Sequence, residues 1–200
     1  DVDPAGSETV EMIKRDGGEA VFVSTDVRNE GDVKNLIATA VKTYGGLHCA
    51  FNNAGVLPPT VALVEMEEST FDQTLAVDLK GVFLCMKHEI AHMLQSGGGA
   101  IVNNASIAGL IAEPGISAYI AAKHGVIGLT RALAQFAAPR RITVNAICPG
   151  WTRTPMAEGR MRDLGLDEAA LAQSVPLGRM LDPDEIAEFA FYLASESAGG

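Results

Sequence analysis

Short apolar runs alternate with longer segments of helical periodicity along the whole chain, and this alternation restricts the fold more than any other feature. Residues 20–24, 47–51, 101–102 and 142–147 are β-prone runs, too short for helices. Between them lie segments with helix signals. Asp3-Pro4 reads as an N-cap with a first-turn proline, and Asn29 or Asp32 can start a second helix with Val33, Leu36, Ile37, Ala40 and Val41 on one face. Ser69 is placed to cap a long helix running to about Gln95, and Asp182-Pro183 start a last one through Ala194. Residues 151–180 read as an irregular, mobile substrate loop with room for two short helices. The order predicts an α/β fold, a doubly wound parallel sheet with helices on both faces, as one domain over residues 1–200.

Composition narrows the partners. The formal charge is −10 with no basic block, which argues against a nucleic-acid partner. No apolar run approaches the ~20 residues of a membrane span. Cys49, Cys85 and Cys148 all lie in apolar segments, as expected of reduced, packed thiols in a cytoplasmic protein.

In an open parallel sheet, ligands sit at the carboxyl ends of the strands. Asp26, Asn53, Ser106 and Pro149-Gly150 fall at such ends. The stretch from 101 to 125, IVNNASIAGLIAEPGISAYIAAKHG, carries the chemistry. Ser106 ends a strand, and thirteen residues later a helix opens with Tyr119 in its first turn and Lys123 in its second. Tyr and Lys four apart share a helix face, and an ammonium beside a phenol favours the phenolate. The expectation is a proton-transfer site in which Lys123 depresses the Tyr119 pKa and Ser106 orients a substrate oxygen.

A serine at a strand end followed at that distance by Tyr-x-x-x-Lys resembles the active site of the short-chain dehydrogenases/reductases, in the branch of glucose dehydrogenases and 3-oxoacyl-carrier-protein reductases. The resemblance extends over the chain. Asn52-Asn53-Ala54-Gly55 is similar to the family's NNAG element, Asp26-Val27 to the pair that holds the adenine ring, and Pro149 to Thr154 to its PGxxxT segment. It implies a Rossmann-like fold and an NAD(P)-dependent oxidoreductase acting on an alcohol or ketone. Tyr119 would be the general acid/base, Ser106 would hold the substrate oxygen, and Lys123 would bind the nicotinamide ribose. Asn53, Ala54 and Gly55 would close the adenine side, and Pro149, Gly150, Thr152 and Thr154 the nicotinamide side. The family commonly forms homotetramers through its two long helices, here about 70–95 and 117–137.

The chain departs from the family pattern in two ways. The glycine-rich TGxxxGxG loop and the final strand are not among these 200 residues, so the sheet is expected to lack its first and last strands here, as in an excerpt of a longer protein. Asp78 stands where the family usually has an asparagine whose carbonyl helps a water reach the lysine. That backbone role is compatible with Asp78 as part of the catalytic group. Asp1 falls where the family's second strand ends, and an acidic residue there accepts bonds from the adenosine ribose and repels a 2′-phosphate, so NAD is expected over NADP.

Two other functions compete. His88-Glu89-Ile90-Ala91-His92 matches the H-E-x-x-H pattern of zinc hydrolases, but no third ligand is evident and the site is expected to hold no metal. A non-catalytic dinucleotide-binding protein on the same fold is the other alternative, and intact Ser106, Tyr119 and Lys123 argue against it.

Overall fold

The computed structural model describes residues 1–198. Three parallel strands form the sheet: β1 (Cys49–Asn52), β2 (Gly99–Asn104) and β3 (Ile142–Ile147), in the order β1-β2-β3. Ala50 pairs with Ile101, and Val102 with Asn145. The strand expected over residues 20–24 does not form: the segment joins no ladder among the described residues. The Thr25 N–H donates instead to the Asp1 carbonyl at 3.0 Å, which seats Asp1 beside the end of this segment.

Eight α-helices accompany the sheet among the described residues: α1 (Gly6–Arg15), α2 (Glu30–Tyr44), α3 (Glu68–Leu75), α4 (Val82–Ser96), α5 (Ser117–Ala137), α6 (Pro155–Leu164), α7 (Glu168–Ser174) and α8 (Pro183–Ala194). None is long and apolar enough to cross a membrane. β2 shows how the layers arise. Successive side chains on a strand point to opposite faces. Ile101 packs with Met86, Met93 and Val126 of α4 and α5, and Val102 packs with Ala190 of α8 on the other face. Val33, Leu84 and Cys85 tie α2 to α4.

Local chemistry explains most boundaries. Asn29 caps α2 by accepting from the Gly31 N–H, and Asp182 with Glu185 forms a capping box at α8. The expected helix from Pro4 begins instead at Gly6, because the Asp3 carboxylate engages the Ala5 N–H in a preceding turn. The rod expected over 70–95 is not a uniform α-helix: Ala76–Gly81 form one π-helical turn between α3 and α4. Such turns widen the backbone locally and occur at functional sites, and this one carries Asp78.

The HEIAH stretch lies on α4, where His88 and His92 line one shallow surface pocket against α2 and Glu89 turns away from it. Glu89 turns into the core, 4% exposed, and its Oε2 accepts from Nδ2 of Asn52 at 3.1 Å. His88 pairs with Glu30 of α2 at 2.9 Å. No three His, Cys, Asp or Glu residues among those described are grouped to hold a metal ion.

Candidate active site

The three strand ends open into a cavity of about 560 Å³. Asn53, Ala54 and Gly55 line it after β1, and Ser106 after β2. Tyr119 and Lys123 line it from α5, and Pro149, Gly150, Thr152 and Thr154 after β3. Asp1 reaches its rim, where its carboxylate also accepts from the Asp3 N–H at 3.0 Å. Thus residues from Asp1 to Thr154 line one space. Asp26 and Val27 do not line it. Asp26 is paired with Arg28 at 2.6 Å, which holds its carboxyl below the ordinary range, and Val27 packs against Val33, Leu84 and Cys85.

Backbone fit fixes the placement of Ser106 and Tyr119. The loop after Ser106 runs against α5 so closely that a β-carbon on Gly109 would lie 2.6 Å from Cδ1 of Ile127 and 2.8 Å from the Lys123 carbonyl oxygen. Only glycine permits that approach. The Ser106 Oγ accepts from the Ala108 N–H at 3.1 Å, and the Pro149 carbonyl accepts from the Ile107 N–H at 2.9 Å, tying this loop to β3's end. Thr154 caps α6, its Oγ1 accepting from the Ala157 N–H at 3.2 Å.

Lys123 is 4% exposed, and its Nζ donates to the Asn104 carbonyl at 3.1 Å. Burial lowers its pKa, with Asp78 acting the other way. Its Nζ lies 5.3 Å from the centre of the Tyr119 ring. The expected depression of the Tyr119 pKa is not found. Burial pushes the phenol up to about 12, Ser106 acts to lower it, and the Asp78 charge raises it further. Desolvation therefore outweighs the lowering effect of Ser106.

Asp78 is fully buried. Oδ1 accepts from the Val56 N–H at 2.7 Å, and Oδ2 has no partner in the protein. Burial raises its pKa to about 6, against the pull of Lys123 and the Val56 N–H. The π-helical turn that presents it has no signature in the sequence.

The sequence reasoning also missed Glu113 and Arg160, which line the same cavity. Their signal was faint: a charged residue in a loop of small ones, and an arginine one turn into a helix after a proline. Asn104, beside Ser106, bridges to the site as well, its Nδ2 donating to Oδ1 of Asn53 at 2.7 Å.

Comparison with known proteins places the chain in a family. The family profile described as enoyl-(acyl carrier protein) reductase matches residues 1–200. A 2,5-dichloro-2,5-cyclohexadiene-1,4-diol dehydrogenase from Sphingobium indicum is 40% identical over 200 residues, covering 99% of this chain and 79% of that protein. A cyclohexanol dehydrogenase from an Acinetobacter species is 39% identical over 194 residues, covering 97% and 75%. Among solved structures, an F189W variant of actinorhodin polyketide ketoreductase with NADPH superposes with a TM-score of 0.92 at 34% identity, covering 96% of this chain and 77% of that one. With its parallel sheet and its profile match from end to end, the chain belongs to the short-chain dehydrogenase/reductase family of oxidoreductases.

Proposed function

We propose that the protein interconverts a ring alcohol and the matching ketone with a nicotinamide dinucleotide, Tyr119 moving the proton on the substrate oxygen. The observation that carries this reading is the meeting of Ser106, Tyr119 and Lys123 on one cavity at the strand ends. The names of the two relatives, both dehydrogenases of six-membered-ring alcohols, favour a cyclic substrate.

The cavity fits such a cofactor. Gly55 brings its backbone close to the buried charged pair of the site, since a β-carbon there would lie 3.3 Å from Oδ1 of Asp78 and 3.6 Å from Nζ of Lys123. Asn53, Ala54, Gly55, Pro149, Gly150, Thr152 and Thr154 would hold the dinucleotide, Lys123 its nicotinamide ribose and Asp1 its adenosine ribose. When bound, the cofactor supplies the hydride chemistry.

The chain's own residues handle the proton. Ser106 positions the substrate oxygen beside the Tyr119 hydroxyl. A phenol held protonated by burial is suited to give its proton to a carbonyl being reduced. In the oxidative direction Tyr119 must start as the phenolate, the form that a neighbouring Lys123 ammonium favours, and it accepts the alcohol proton to become the phenol. The Asp78 charge favours the ammonium form of Lys123. Nearby apolar side chains, including Leu57, Ile116 and Trp151, exclude water around a ring.

The test offers cyclohexanol with NAD and with NADP and follows reduced-nicotinamide absorbance. Turnover is expected. Failure with a panel of six-membered-ring alcohols and ketones under both cofactors would overturn the reading.

A further inference from the structure

The helix that follows the β3 loop brings into the site a cation that the proton chemistry does not use. Arg160 lies on α6 one turn beyond Met156 and Ala157, and the three line the cavity together. Its side chain is 4% exposed. Nη2 donates to Oε1 of Glu113 at 2.6 Å and makes a longer contact of 3.5 Å to the Pro114 carbonyl. Nε and Nη1 are buried without any partner in the protein.

A guanidinium presents its N–H groups as a planar fork that matches both oxygens of a carboxylate. Glu113 meets that fork with a single oxygen. Buried donors without acceptors are costly, and most of all on a charged group. Glu113 itself sits on the loop between β2 and α5 with its side chain 38% exposed, so it can turn into water at little cost. A deeply buried, under-satisfied cation thus faces a half-solvated anion, inside the cavity that holds Ser106 and Tyr119.

We propose that Arg160 is the anchor for a carboxylate on the substrate. The preferred substrate is then a ring alcohol that carries a carboxylate away from its reacting hydroxyl, and Glu113 is the internal counter-ion that this carboxylate displaces. A neutral hydroxyl in that place would neither replace the charge of Glu113 nor fill the fork. Apolar Trp151 and Ile116 accommodate the ring between the two polar ends. The substrate class rests on the ring-alcohol reading above; the anchor itself does not.

The anchor is read without turnover by titrating cyclohexanecarboxylate, which lacks the reacting hydroxyl, against the fluorescence of Trp151, the protein's one tryptophan and a residue of the same cavity. Arg160→Met is expected to weaken binding about thirtyfold, the scale of a charged hydrogen-bond pair, and Glu113→Gln to tighten it. The second reading is the ratio of kcat/KM for 4-hydroxycyclohexanecarboxylate to that for cyclohexanol. Loss of folded protein lowers both values and cancels in the ratio. The ratio should exceed one in the wild type and fall about thirtyfold in Arg160→Met. Equal binding of cyclohexanecarboxylate by wild type and Arg160→Met, or an unchanged ratio, would overturn the proposal. Arg160-dependent binding in a protein that turns over neither alcohol would support the anchor and overturn only the ring-alcohol reading.

Discussion

Asp78 and Lys123 meet over Gly55: the point where a β-carbon of Gly55 would stand lies 3.3 Å from Oδ1 of the one and 3.6 Å from Nζ of the other. Both side chains are buried, and each shifts the other toward its charged form while burial opposes both. The Asp78 charge also reaches Tyr119 and raises its pKa. A carboxylate at the π-helical turn therefore enters the proton balance of the site, where an asparagine would add no charge.

This coupling has a pH signature in stability. The folded pKa of Asp78 is raised from 3.8 to about 6, so its contribution is fully present below about pH 4 and is lost as pH rises through about 6. That rise corresponds to about 3 kcal/mol. Asp78→Asn should thus gain stability relative to wild type between pH 4 and pH 8 by up to about 3 kcal/mol. Glu89, raised by burial to about 7, contributes equally to both proteins and drops out of the difference. Urea unfolding at the two pH values measures it, and a difference that does not grow with pH would refute the buried-carboxylate assignment. If backbone geometry carries the support of Lys123, the same variant changes kcat by less than about tenfold.

Much of the fold was legible because burial leaves its period in the sequence. Ile101 and Val102 announced a strand covered on both faces, and the Asn29 and Asp182 caps marked two helix starts. Ser106, Tyr119 and Lys123 were legible by spacing, and they do share one cavity. What spacing cannot encode was missed. A strand needs a partner as well as a pattern, so residues 20–24 stay outside the sheet. The π-helical turn at Asp78 depends on packing, Val27 lying against Gly81, and no helix propensity reports it. The direction of the Tyr119 shift depends on burial, which the Tyr-x-x-x-Lys spacing does not contain. Arg160 and Glu113, 47 residues apart, meet only through the tertiary fold.

The outer faces of α4 and α5 predict self-association. Phe83 and Leu94 on α4 and Phe136 on α5 are each more than 40% exposed, an unusual load of large apolar groups for two helices that already cover a core. A homotetramer built on these helices is the expected state. Light scattering at micromolar concentration should report about four chains, and Phe83→Glu with Phe136→Glu should lower that number. A stable wild-type monomer would count against it.

Cofactor choice is predicted from Asp1. It lines the cavity rim. A 2′-phosphate at Asp1 would meet a carboxylate, which repels it. The expected kcat/KM favours NAD over NADP by at least about tenfold, or about 1.4 kcal/mol, and Asp1→Ser narrows the gap. A preference for NADP, the cofactor type seen in the ketoreductase structure, would show that Asp1 does not select.

The most direct test is single-residue replacement at the proton-transfer position. Tyr119→Phe keeps the ring that packs in the cavity and removes only the hydroxyl. With cyclohexanol and saturating cofactor, kcat should fall by ~10²–10⁴-fold, while the cofactor dissociation constant, measured separately by fluorescence, stays within about threefold. Turnover within about threefold of wild type in this variant would contradict the assignment of Tyr119 as the acid/base, and with it the proposed chemistry of the site.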